Sequence, residues 1–228
     1  MLFALARPMA FAGLLIAFLL ALVLRAYAIR ITARSLGLTP AREPVRPRPR
    51  EDIDPFGAVA AAIGGAGWGK SIDVDEVPRS HGRGRAAAVF AAGPLTVLAA
   101  SQILFVTFRY VFPESFALAF YYPSEVLRGQ FDGTYAGGYA TQFLLAVAVG
   151  LLGFGLLALI PIPPLDGFGL LWLAFRHPGR GLQGYRLWLD GKNLGVVILL
   201  ACCFFPLTSP LLLIPVDLLG TPLMRLWG

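Results

Sequence analysis

Four long stretches of the chain carry no charged residue: Pro8 to Leu24, Ala86 to Phe108, Ala140 to Ile162 and Leu194 to Val216. A hydrocarbon core of about 30 Å calls for about 20 residues of α-helix at roughly 1.5 Å per residue, which is the length each stretch offers. The pattern predicts four transmembrane helices, over 8–29, 86–108, 140–162 and 194–216, within a single membrane domain spanning 1–228. The segment behind the first apolar run contains Ala26-Tyr27-Ala28, which mimics a signal-peptide cleavage site, but the segment is read as a retained helix.

The connections carry their own signals. The 30–85 segment opens with TPAREPVRPRPRED, whose prolines remove backbone donors and predict an extended loop. IDPFGAVAAAIGGAGWG comes next, apolar but short and rich in glycine, and is expected to be a short or re-entrant element against the membrane face. SIDVDEV alternates polar and apolar positions and predicts a brief strand or hairpin arm. The 109–139 connection holds FALAFYYP and GTYAGGY, aromatic and glycine-rich as expected at a headgroup boundary. After the third span, Ile160-Pro161-Ile162-Pro163-Pro164 stops the helix, and Leu165-Asp166-Gly167 leads into a further apolar piece within a re-entrant 163–193 segment.

Composition agrees with a bilayer as solvent: 57% of residues are hydrophobic, 14% are charged, and the mean hydropathy is +0.71. The net charge of +6 sits in loops beside the apolar spans without interleaved aromatics, which argues for membrane topology and anionic lipid over nucleic acid. Ten Arg and Lys residues fall between Arg30 and Arg85, and Arg176, Arg180, Arg186 and Lys192 come after the third span. By the positive-inside rule these segments are cytoplasmic, the 109–139 connection is external, and both termini lie outside. Cys202 and Cys203 are adjacent in the fourth apolar stretch and read as small apolar filler.

Two motifs invite chemistry. Gly64, Gly69, Lys70 and Ser71 fit the phosphate-binding spacing G-x-x-x-x-G-K-[ST], but no strand precedes them and Pro78 interrupts the stretch where a helix should start, so no nucleotide is expected. Asp166 beside a proline-rich bend at membrane depth is either a functional carboxylate or a turn residue capping freed backbone N–H groups. The residue alone leaves both readings open.

Taken together, GAGWGKSIDVD, AAGPLTVLAAS and LLALIPIPPLDGFGLL resemble the site-2 proteases, peptidase family M50, in order and spacing over most of the chain. The framework residues that carry the resemblance are Gly67, Trp68, Gly69, Lys70, Gly93, Pro94, Pro161, Pro163, Pro164 and Gly167, and IDPFG resembles that family's I-D-P-L-G. The resemblance implies an all-α polytopic membrane fold with a core of about four helices and a small cytoplasmic strand element. It also implies intramembrane peptide hydrolysis by metal-activated water, with H-E-x-x-H and a later Asp holding zinc.

Aligned on that pattern, this chain reads Arg25-Ala26-Tyr27-Ala28-Ile29, so Arg25 and Ile29 stand at the two histidine positions and Ala26 at the glutamate. A guanidinium stays protonated and cannot ligate zinc. Asp166 keeps the third ligand position, Ala158 replaces an asparagine, and Asp52 corresponds to a histidine. The only histidines, His81 and His177, form no i, i+4 pair. The expectation is a pseudoprotease without metal or cofactor, retained as an accessory subunit of a membrane protein complex in a bacterial cytoplasmic membrane. The competing readings are a metalloprotease with an unconventional site and a non-cleaving binder of transmembrane helices. Arg25 is left with two options, a salt bridge to Asp166 or snorkelling to lipid headgroups.

Overall fold

A computed structural model describes residues 1–38, 45–77, 82–112, 117–130, 138–204 and 210–228. Helix α1 spans Pro8–Ser35, with Pro8 in its first turn, where a missing N–H costs nothing. It ends in a Schellman motif: Gly37 takes φ 70°, Leu38 N–H donates to the Ala33 carbonyl at 2.9 Å, and Gly37 N–H donates to the Arg34 carbonyl at 3.1 Å. Helix α2 covers Pro55–Gly64, α3 Arg83–Val111, α4 Tyr139–Ala158, α5 Asp166–Ala174, α6 Arg180–Arg186, α7 Leu194–Phe204 and α8 Ile214–Arg225. Short single turns lie at Pro49–Asp52, Ala117–Phe120 and Pro123–Leu127.

Helices α1, α3 and α4 are long and apolar enough to cross a membrane. A fourth span exists if the Arg180–Gly191 and Leu194–Phe204 pieces, bent by 68°, are one crossing. Helix α4 is the central one, buried from Leu145 to Ala158 with only Gly150 partly open. Close approach depends on small residues, as in other membrane bundles where packing rather than water drives association. A methyl at Gly150 would lie 2.5 Å from Ala17 Cβ, and one at Gly13 would lie 2.7 Å from the Phe143 carbonyl oxygen. Ser101 locks α3 to α4 by donating to the Ala148 carbonyl at 2.8 Å.

The glycine-rich segment after the first span forms a hairpin, half helix and half extended. Asp54 caps α2 by accepting from Phe56 N–H at 3.0 Å, and its second oxygen accepts from the Trp68 indole at 2.6 Å. Gly65, at φ 88°, turns the chain against the Leu127 carbonyl, and residues 66–70 return alongside the helix. An antiparallel bridge between Ile53 and Gly69, with Lys70 N–H donating to the Asp52 carbonyl at 3.0 Å, closes its base.

Three expectations need correction. SIDVDEV is not a strand: among the described residues there is no strand, and the segment folds as a turn with Asp73 accepting from Asp75 N–H at 3.0 Å. Its alternation arises because Val74 and Val77 pack inward while Asp73 and Asp75 face Arg186. The third helix stops at Ala158 rather than 162, because Pro161 and the prolines after it cannot continue it. The 194–216 stretch is not one α-helix over its described length, since Pro210 lies outside any helix and a 3-10 turn at Leu211–Leu213 precedes α8.

The hairpin generates a test. A methyl at Gly57 would lie 2.0 Å from the Trp68 carbonyl oxygen, so Gly57→Ala is expected to destabilise the detergent-solubilised chain by at least about 1–3 kcal/mol, read by thermal unfolding. Gly84→Ala, which meets nothing, is expected to stay within about 1 kcal/mol of the parent.

Candidate functional site

Among the described residues, the buried charged side chains are Arg25 and Asp166. Arg25 Nε donates to Asp166 Oδ2 at 2.6 Å and Arg25 Nη2 donates to Oδ1 at 2.5 Å, a two-pronged pair with side chains only 6% and 1% exposed. Arginine's planar fork matches a carboxylate in this geometry. Arg25 therefore pairs with Asp166 rather than snorkelling.

Each partner is positioned by local sequence. Arg25 lies on α1 between Leu22, part of the main hydrophobic core, and Ile29, part of a second cluster near the Ser35 end. Asp166 lies between Leu165 of the main core and Phe168 of the second cluster. The pair thus sits at the seam between two apolar clusters. The proline run ends α4, and Asp166 is the first residue of α5, where a carboxylate also meets the positive end of the helix dipole. The Pro163–Pro164 bond is cis.

The framework residues pack around this seam. A methyl at Gly93 would lie 2.7 Å from Arg25 Cγ and 3.1 Å from Ile29 Cδ1, so both α1 side chains face the same point of α3. A methyl at Gly69 would reach 2.7 Å from Leu22 and 3.3 Å from Arg25 Nη1. Gly67 presses on the Gly57 carbonyl, Gly167 on the Leu159 carbonyl, and Pro94 is buried within α3. Trp68 is 1% exposed and held by Asp54. The Pro161 carbonyl accepts from Tyr185 at 2.9 Å, and the Pro163 carbonyl leaves no room for a side chain at Gly195. Lys70 and Pro161 are the exposed members of the set.

A second two-pronged pair stands beside the first. Arg30 donates to Asp52 at 2.6 Å and 3.0 Å, half-buried, and Asp52 also accepts from Arg48 N–H at 2.6 Å. In the sequence Arg30 reads only as a topological charge, although its place five residues after Arg25, before a PRED turn, carries a signal. Asp54 is legible as a helix cap from the Asp-Pro dipeptide. Farther out, Arg186 donates to Asp73 at 3.1 Å and Asp75 at 2.7 Å and lies over the Trp172 ring at 5.2 Å, tying the 71–77 turn to α5.

The chain matches no protein-family model, no curated protein and no solved structure.

The site residues do not fit a zinc ion. Both oxygens of Asp166 are engaged by a cation, Ala26 and Ile29 bring no donor atom, and no three His, Cys, Asp or Glu side chains converge among the described residues. His177 is exposed in the loop after α5, Ala158 is buried at the end of α4, and His81 lies outside the described residues. The P-loop-like spacing forms no phosphate cradle, because Gly64 ends a helix and residues after Lys70 enter a turn. Cys203 packs on Gly64, and Cys202 is half-buried beside it.

The arrangement acts mechanically: it joins α1 to α5 through charge where hydrophobic contact is interrupted. Removing one partner leaves an uncompensated buried charge, so Asp166→Ala or Arg25→Ala is expected to cost about 3–5 kcal/mol. The double variant Arg25→Met with Asp166→Leu is expected to lose less than either single change. Chemical denaturation in mild detergent reads both, and equal additive losses would show that the pair is not coupled.

Proposed function

We propose that this chain is a non-catalytic relative of the site-2 proteases, in which an arginine–aspartate pair has taken over the structural place of a catalytic zinc ion. The observation that carries this reading is the buried Arg25–Asp166 contact, made by the two residues that the motif resemblance assigns to metal-ligand positions. Ile29, four residues beyond Arg25, faces the same side of α1, as the second ligand of an H-E-x-x-H helix must.

Zinc in such a site draws together a helix and a later loop by binding donors from both. The guanidinium is a monovalent cation with a directional fork, and it draws the same two elements together without needing two histidines. It offers no open coordination position and cannot activate water. The chemistry is gone and the tether stays. The glycines at 69 and 93 leave the space that the long arginine side chain fills.

A chain kept for its shape acts through its contacts, so we assign it the role of an accessory subunit in a membrane protein complex. Membrane integration is supported by the three long apolar helices. The basic character of the 30–85 segment favours the cytoplasmic side of a bacterial membrane for the Ser35 end of α1 and the outside for both termini.

The test is purification of the tagged chain from its native membrane in mild detergent, with metal analysis and mass spectrometry of co-eluting proteins. Less than a tenth of an equivalent of zinc with a constant stoichiometric partner set is the expected outcome. A full equivalent of zinc that disappears in Asp166→Ala would return the chain to the proteases.

A further inference from the structure

Arg25 also lines a cavity of about 630 Å³ that runs along one face of α1 through Ile29 and Ala33 to the exposed Arg34. At about 30 Å³ per water, that is room for roughly 20 waters, enough for a phosphate and a short carbon skeleton without moving the ion pairs.

Among the described residues, the charges along its wall do not balance. Arg25 is matched by Asp166, Arg30 by Asp52 and Arg48 by Glu51. Arg34 and Lys70 remain, both exposed and without an ion-pair partner among the described residues, against the single carboxylate of Glu76. The two cations stand on different elements, one on α1 and one at the end of the glycine-rich hairpin, and both border the same space. The wall also carries small and apolar side chains beside the Arg30–Asp52 pair: Ala26, Ile29 and Ala33 from α1, Val89 from α3, and Val77 from the turn. A cavity bordered by two exposed cations and by apolar side chains suits a ligand with an oxyanion joined to carbon.

We propose that this cavity binds the phosphate of an anionic ligand, with Arg34 and Lys70 as its contacts and the apolar wall of α1 against the adjoining carbon atoms. Anionic phospholipid supplies such a phosphate at high local concentration beside a membrane helix, and a soluble phosphate ester supplies the same chemistry from water. The assignment rests on the cavity and its charges and stands whether or not the chain is a protease relative.

The experiment uses the full chain, delipidated in dodecyl maltoside. Palmitoyl-oleoyl phosphatidylglycerol, palmitoyl-oleoyl phosphatidylcholine and glycerol 3-phosphate are added separately, and the melting temperature is monitored. Phosphatidylglycerol is expected to raise it by about 3 °C or more, and phosphatidylcholine by much less. The Arg34→Gln, Lys70→Gln double variant is expected to lose the shift. Arg34→Lys with Lys70→Arg, and the distant Arg180→Gln, are expected to keep it. An equal shift with glycerol 3-phosphate supports the site and identifies a soluble ligand. Equal shifts for the two lipids, or an undiminished shift in the glutamine variant, would overturn the proposal, as would no shift with either phosphatidylglycerol or glycerol 3-phosphate. Native mass spectrometry of the parent chain gives a second reading: retained phosphatidylglycerol supports the site, and its absence at saturating lipid counts against it.

Discussion

An arginine taken out of water and set among apolar helices costs several kcal/mol unless its fork is met by an acceptor of matching shape, and Arg25 is met by Asp166. The surrounding architecture derives from that requirement. Asp166 has to be brought to the middle of α1, so α4 must end before it and α5 must begin at it, which the proline run between them accomplishes. The guanidinium needs space, and Gly69 and Gly93 supply it from two other elements. The two hydrophobic clusters meet at the pair, so the charge contact spans the line along which apolar packing between them is broken.

Around this seam the chain relies on backbone touching backbone. The hairpin of residues 53–69 is held by the mutual approach of Gly57 and Gly67 and by one carboxylate, Asp54, that caps the helix and fastens the returning extended arm through Trp68. Larger side chains at these glycines would separate the hairpin from itself and withdraw Gly69 from Arg25. The glycine and proline motifs therefore read as the mould of a buried charge pair rather than as isolated turn signals. Arg30–Asp52 extends the same device outward, and its partial exposure makes it the weaker of the two.

How much of this is legible in the residues depends on whether a feature is local. The three long helices are visible as uncharged runs, and the shortness of the 53–69 element comes through in its glycines and its length. The turn at 71–77 reads as a strand because alternation reports which side chains face inward, and a turn across a packed surface can alternate as a strand does. The end of the third helix is overrun because uncharged prolines count as apolar in a hydropathy window while ending helices in space. Arg25 and Asp166 are 141 positions apart, and only the motif resemblance suggests that they meet. Arg30–Asp52 escapes notice for the opposite reason: plentiful arginines in a basic loop conceal the one with a specific partner.

The central claim is that Arg25 and Asp166 occupy a former metal site, and it is tested most directly by trying to restore that site. In the triple variant Arg25→His, Ala26→Glu, Ile29→His, with Asp166 unchanged, two imidazoles would stand at i, i+4 on the face of α1 that already meets Asp166. Purified in detergent and equilibrated with zinc, that variant is predicted to retain about one ion per chain. Further substitution of Asp166→Ala is predicted to abolish the binding. A correctly folded triple variant that takes up no zinc, or takes it up equally without Asp166, would contradict the claim.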